Sequence, residues 1–354
     1  MQDLVIIGAG MVGLCSARAL AARGYSVTVL DACTARPSAS WAGGGILSPL
    51  FPWRYPSAIT ELCRPAVTEY RALADEITRV GGPDPEIRVP GMLVFAHDEH
   101  EQARDWARRE SLTLQTLRAS RLEAGLPDRE ALWLPDVGVV RNPRFLTGIR
   151  ALLQALGVAV VNEPVVALES VSGGWRVRTR DGARDTRQVL VAAGAWSRAL
   201  LQPLGLDGPL MPVKGEMLRY PPLSHGPGRV LLGPDGYLVP RADGSVLAGS
   251  TLREDDDDMR PTAEAARQLR RAAEHLWPAL RDYEPVLQWA GTRPGIRREA
   301  PLIGAVPGQD GLFVATGHYR NGLTAAPMTG RLIAALMDGD TPPLDPAPYA
   351  PEPG

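Results

Sequence analysis

Glycines 8, 10 and 13 stand in the pattern GxGxxG, and what residues of that type and spacing can do is hold a pyrophosphate. Gly8 would permit a tight turn, Gly10 would let the backbone approach the anion, and Gly13 would let a helix pack closely on a strand. The helix N-terminus would then present oriented N–H groups to the phosphates. Asp31 follows Gly13 by eighteen residues; its carboxylate can accept hydrogen bonds from a ribose diol and would repel a 2′-phosphate. The pattern alone is weak, because glycines also serve ordinary turns, so the elements around it decide.

Those elements have the order such a site needs. Residues 4–7 are a continuous apolar run, suited to a strand buried on both faces. Residues 11–23 read as a helix closed by Gly24, and residues 26–30 as a second strand ending at Asp31. No second GxGxxG is present for a nicotinamide. A single dinucleotide that exchanges electrons with a partner in solution points to FAD, which can react with oxygen or another acceptor.

Further along, the glycine-rich stretch 39–45 reads as a loop that approaches something closely, and residues 59–80 as one long helix. Residues 92–131 look like part of a different module. A helix over 145–156 leads through Gly157 to a strand at 158–161, and 175–179 and 189–193 are further strands. Short strands at 217–220, 237–240 and 245–248, separated by turn residues, predict an antiparallel sheet. A strand at 312–315 and a helix running to Met337 complete the fold, and the proline-rich tail 341–354 is expected to be extended and mobile.

The chain has 354 residues, enough for two domains, with 38 Lys plus Arg against 40 Asp plus Glu and a net charge of −2. That balance gives no attraction to nucleic acid or an anionic membrane, and no stretch approaches the roughly 20 apolar residues of an integral membrane segment. Cys15, Cys33 and Cys63 show neither a disulfide framework nor metal-ligand spacing, and no basic leader precedes the apolar N-terminus. A cytoplasmic location is expected. The acidic run Glu254 to Asp258 reads as a solvated turn, the five histidines have no ligand spacing, and no metal is expected.

Five motifs carry a resemblance that extends from residue 2 to about 337. They are the N-terminal GxGxxG, SWAGGG at 40–45, GYLVPRADGSVLAGST at 236–251, WAGTRPG at 289–295 and GHYRNGLTAAP at 317–327. With them the chain resembles the D-amino-acid oxidase superfamily of FAD-dependent oxidoreductases, and within it the glycine oxidase family of the thiamine pathway. The resemblance implies an α/β fold, with a Rossmann-like FAD-binding domain over 1–85, 141–210 and 288–340. It also implies a substrate domain, built on an antiparallel sheet, over 86–140 and 211–287.

The cofactor residues it implies, besides Gly8, Gly10, Gly13 and Asp31, are Ser40, Gly43, Gly44 and Gly45 of the loop, Val165, Gly291, and Gly322, Leu323 and Thr324. Arg293 matches an arginine that clamps the substrate carboxylate, Tyr237 a tyrosine that helps hold it, and Arg320 a second arginine close by. No protein acid or base is required; His318 is expected to be structural, and Trp289 to pack behind the flavin. Two departures bear on substrate choice: Asp235 stands where members carry a histidine, and Leu252 replaces a pocket methionine. Pro52-Trp53-Arg54-Tyr55 matches a segment at the pocket mouth, where Arg54 either reaches an anionic substrate group as part of a lid or lies solvated in a packed loop.

The implied reaction is oxidative deamination of glycine, sarcosine or a small D-amino acid by dioxygen, giving an oxo acid, ammonia or amine, and hydrogen peroxide. Relatives that attach FAD covalently use a cysteine near the C-terminal motif; here the last is Cys63, so the FAD is expected to be non-covalent. A D-amino-acid dehydrogenase feeding a quinone and a non-catalytic flavoprotein module remain as alternatives. Whether the chain forms a homo-oligomer is left open.

Overall fold

A computed structural model describes residues 2–32, 38–205 and 210–352; Cys33 lies outside them. The apolar run at the N-terminus forms the strand Gln2–Ile7, and Leu4 through Ile7 are buried, as a strand covered on both faces requires. Parallel pairing leaves it in both directions. On one side stand Val27–Asp31 and then Ala159–Asn162, on the other Ala183–Val191 and then Leu312–Thr316. The carboxyl end of Gln2–Ile7 is therefore a switch point, where the outgoing loops part and leave a crevice. Leu302–Ala305 adds an antiparallel edge, and Val165–Val171 and Gly174–Thr179 an antiparallel appendage on Ala183–Val191.

Helix Met11–Ala21 packs against the C-terminal helix Gly322–Asp338. Gly330 makes the close approach possible, since a Cβ there would lie 2.8 Å from the Cys15 carbonyl oxygen.

The second sheet takes strands from two separated stretches: Met92–Val94, Gln115–Arg118 and Glu130–Leu134, then Leu210–Tyr220 onward to Leu287–Ile296. Its pairing is antiparallel except where Met92–Val94 runs beside Val230–Gly233. Alternation along the strands sets its two faces. Leu218, Leu238 and Ala248 are in register and pack against helix Ala263–Leu276, whose Ala265, Leu269, Ala273 and Leu276 are buried at helical spacing. Thr262 caps that helix through Ala265 N–H (3.2 Å), a contact worth about 1 kcal/mol. Met217, Tyr237 and Gly249, one residue earlier or later, are also in register and turn the other way, and Tyr237 lines the crevice.

Four expectations are corrected. The single helix over 59–80 is two, Ser57–Cys63 and Ala66–Arg79, because Pro65 has no N–H to donate and the helix restarts after it. The stretch 39–45 is not wholly a loop: Ala39–Ala42 forms a helical turn capped by Ser38. Leu287–Ile296 pairs along its whole length with Leu210–Tyr220, so the second sheet runs on past residue 288 to 296. The segment 341–352, expected to be extended and mobile, packs on the body of the protein. Tyr349 is fully buried with its hydroxyl donating to the Ala58 carbonyl (2.6 Å), and Arg298 donates to the carbonyls of Pro348 (2.8 Å) and Ala350 (3.1 Å).

Candidate active site

The crevice is one cavity of about 1200 Å³ that runs from the glycine turn to the exposed face of the second sheet. At its nucleotide end, Gly8 has a φ of +108° and its Cβ position lies 2.4 Å from the Ala192 carbonyl oxygen, so only glycine fits. A Cβ on Gly13 would lie 2.0 Å from the Gly8 carbonyl oxygen, which is the close helix–strand packing expected of the third glycine. Asp31 lines the cavity, accepts from Ala9 N–H (3.2 Å) and lies 3.6 Å from the Arg150 guanidinium. Val165 lines the same end, together with Val166, Arg180 and Trp196.

The loop after Ser38 forms the cavity's middle wall and is gripped from four separate parts of the chain. Ser40 Oγ accepts from Met11 N–H (2.8 Å), tying the loop to the first turn of Met11–Ala21. Asn142 donates to the carbonyls of Ser40 (2.9 Å) and Gly43 (3.0 Å), and Trp289 Nε1 donates to Ala42 (2.9 Å). Arg241 donates to Val140 (2.9 Å) and Gly44 (3.1 Å). Burial, with the nearby Arg141 and Arg88 charges, pushes its pKa down to about 10. Gly45 has a φ of +76°, and a Cβ there would stand 2.2 Å from the Val140 carbonyl oxygen. Asn142 and Arg241 are not among the residues expected from the sequence. The arginine stands inside the GYLVPRADG motif, whereas Asn142 had no local signal, since its role depends on a loop a hundred residues earlier.

At the far end stand Tyr237, Arg293, Arg320, Ser250 and Tyr319. Tyr237 is buried, with its hydroxyl 3.3 Å from Met217 Sδ and its ring against Gly44. Arg293 donates to Ser250 Oγ (2.8 Å) and the Thr251 carbonyl (3.3 Å); burial lowers its pKa, Tyr237 opposes that, and the Arg320 cation adds to it. Neither arginine has a carboxylate partner among the described residues. Gly322 and Leu323 also line the cavity.

Four residues expected at the site do not line the cavity. Arg54 is drawn away by Glu99, to which its Nε donates (2.8 Å), and its guanidinium lies over the Phe51 ring (3.9 Å). Leu252 is 44% exposed and does not line the cavity. Gly291 admits Ala42, whose Cβ would be 2.5 Å from one on the glycine, so it serves packing of the loop against the sheet. Thr324 is buried behind the wall with its hydroxyl donating to the Ile46 carbonyl (3.2 Å). Asp235 is exposed in the turn before Gly236 and does not reach the cavity.

The residues present fit FAD. The cavity is long, Gly10 leaves open a wall that a side chain would fill, and among the described residues the charged groups lining it are Arg150, Arg180, Arg293 and Arg320 against the single carboxylate of Asp31. That excess of positive charge suits an anionic dinucleotide beside an anionic substrate. Asn142 Oδ1, buried at this wall without a partner, is an acceptor ready for a donor of the bound group. Over residues 3–336 the sequence matches the FAD dependent oxidoreductase family. The chain belongs to this family.

Among relatives of this FAD-dependent oxidoreductase, the glycine oxidase of Pseudomonas aeruginosa is 42% identical, with 99% of this chain and 98% of that one aligned. The glycine oxidase of Pseudomonas putida is 38% identical over the same shares. The crystal structure of glycine oxidase from Geobacillus kaustophilus superposes with a TM-score of 0.93 at 28% identity, covering 99% of this chain and 98% of that one. Among the described residues of this FAD-dependent oxidoreductase, no helix is long and apolar enough to cross a membrane, and no cluster of three potential metal ligands occurs. The acidic run is engaged instead in ion pairs, Asp258 with Arg260 and Asp255 with Arg297.

Proposed function

We propose that the chain catalyses oxidative deamination of glycine or a similarly small amino acid, with dioxygen as electron acceptor. The observation that carries this is the pair Arg293 and Arg320, unpartnered by carboxylates among the described residues and facing the far end of the FAD-sized cavity beside Tyr237. A planar fork of donors suits a carboxylate, and the Tyr237 hydroxyl can share its load. Gly8, Gly10, Asp31, Ser40, Gly43, Gly44, Gly45, Val165, Gly322 and Leu323, with Asn142 and Arg150, would hold FAD along the wall.

Bound there, FAD would supply the acceptor for the two electrons lost as the substrate's Cα–N bond is oxidised to an imine, with dioxygen as the final acceptor. The protein's own part is placement. Arg293 and Tyr237 fix the carboxylate, which turns the short Cα–N segment inward, and holding reactants in one geometry supplies much of such a rate enhancement. Among the described residues Asp31 is the one carboxylate that lines the wall, at the opposite end, so no carboxylate in the wall stands beside the arginines to pair with an ammonium. The uncharged amine is the form that fits. The imine product is hydrolysed by water to an oxo acid and ammonia, without a protein nucleophile.

A cytoplasmic location belongs to the same reading, supported by Cys15 and Cys63, which are buried and not disulfide-bonded. The test is to add glycine to the purified protein and follow oxygen uptake and peroxide. Flavin reduced by glycine without oxygen uptake would assign a dehydrogenase, and flavin unreduced by any of glycine, sarcosine, D-alanine and D-proline would leave a binding module.

A further inference from the structure

Gly215 sits in the middle of the strand Leu210–Tyr220, directly opposite Gly291, with no positive φ to require glycine. Glycine inside a strand weakens it and marks a place where something comes close. Here the close group is Arg293. A Cβ on Gly215 would lie 2.1 Å from Nη1, 2.2 Å from Nη2 and 2.4 Å from Cζ of that side chain. Its three nearest neighbours are thus all guanidinium atoms, and none is backbone.

The surroundings show why the guanidinium rests there. Arg293 stands across from Val213, two residues from Gly215 on the same face, so its side chain runs along the strand over the position left bare. Its other contacts, Ser250 Oγ and the Thr251 carbonyl, are tied to that strand too, because Glu216 N–H donates to Thr251 Oγ1 (2.9 Å) and Thr251 N–H to the Glu216 carbonyl (3.3 Å). Leu210–Tyr220 thus supplies the floor under the guanidinium and, through Glu216, anchors the Thr251 segment that holds it.

We propose that Gly215 is a specificity-determining position: its missing side chain is the notch in which the Arg293 guanidinium lies, and the size of residue 215 sets how far that cation projects into the cavity. The inference rests on the reading that Arg293 holds the substrate carboxylate. A methyl group at 215 is absorbed by movement of a flexible side chain, so the fold and the FAD site survive while the anchor is displaced. Ordinary Cβ contacts begin at 3.4 Å. The guanidinium must therefore move by roughly 1 Å, a misplacement that can cost about a hundredfold in a positioned reaction.

The experiment compares Gly215→Ala, Arg293→Ala and the double variant in the FAD-loaded full chain. Acetate, a carboxylate without an amine, is titrated by its perturbation of the flavin absorbance, alongside glycine kinetics, FAD content and thermal unfolding. Gly215→Ala is expected to raise the acetate Kd and lower glycine kcat/KM by about 10- to 100-fold with FAD content and unfolding midpoint retained. In the Arg293→Ala background, where no guanidinium remains to be hit, the same change is expected to alter acetate binding by less than about twofold. Equal losses in both backgrounds, or loss of FAD or folding, would show that the glycine serves backbone packing and overturn the proposal. If Arg293→Ala weakens acetate while Gly215→Ala does not, this inference alone fails. If Arg293→Ala binds acetate as the unaltered chain does, the reading of the arginine fails with it.

Discussion

Arg293 and Arg54 are both arginines in aromatic, proline-containing motifs, yet their surroundings give them opposite expected consequences. Arg293 faces the cavity without a carboxylate partner among the described residues, so Arg293→Ala should leave a bound carboxylate unpaired, cost about 3–5 kcal/mol and lower glycine kcat/KM by roughly two to four decades with FAD retained. Arg293→Lys should recover only part, because an ammonium lacks the fork. Arg54 is half-exposed and spent on Glu99. Its loss should cost at most about 1 kcal/mol of stability, with glycine turnover unchanged. A selective loss of turnover for carboxylate substrates over a neutral amine in Arg54→Ala would restore it to the site. His318 is buried with Nε2 3.0 Å from Thr329 Oγ1, and burial pushes its pKa down to about 3. The unfolded chain, with a histidine pKa near 6.5, therefore binds the extra proton between those values while the folded chain does not, so stability falls as pH drops from about 6.5 toward 3. Denaturant melts across that range should be less steep in pH for His318→Gln, and an unaltered slope would show that the ring is protonated in the folded state.

At the scale of elements, what most distinguishes this fold from its sequence reading is the fate of the C-terminal segment. Its prolines and small residues suggested a tail, but Tyr349 enters the same core as Tyr70, Phe145 and Ile333. Tyr349→Ala should cost about 3–5 kcal/mol, as loss of a buried aromatic does, and Tyr349→Phe only about 0.5–1.5 kcal/mol for the hydrogen bond to Ala58. Equilibrium unfolding in urea reads both; an alanine variant as stable as the parent would make the segment a tail after all. The break at Pro65 and the turn at Ala39–Ala42 belong to the same scale: a missing N–H divides what hydrophobic periodicity reads as one helix, and a serine cap orders four residues ahead of the glycines.

For the whole molecule, the two sheets meet at a cavity from which both described cysteines are absent, Cys15 and Cys63 lying in the core around the first sheet. Burial pushes the Cys15 thiol up to about 12 and the Cys63 thiol higher still, so neither offers a thiolate for attachment. The purified protein should be yellow and should release its flavin into the supernatant on acid or heat denaturation; colour that stays with the precipitate would contradict a non-covalent site. The glycine turn was legible in the sequence, since Gly8, Gly10, Gly13 and Asp31 lie within one βαβ unit whose spacing is local, and at Gly8 and Gly13 a Cβ would collide with backbone. The sequence also pointed to Arg293, Tyr237 and Arg320 through motifs that carry the family. Which of the motif residues meet follows from the long-range fold. Arg54 finds Glu99, Gly291 finds Ala42, Thr324 finds Ile46, and Arg241 and Asn142 converge on a loop far from both in the chain. Those outcomes depend on the register of Leu210–Tyr220 against Leu287–Ile296 and on how the two sheets close over the crevice, long-range pairings that no local pattern of residues encodes.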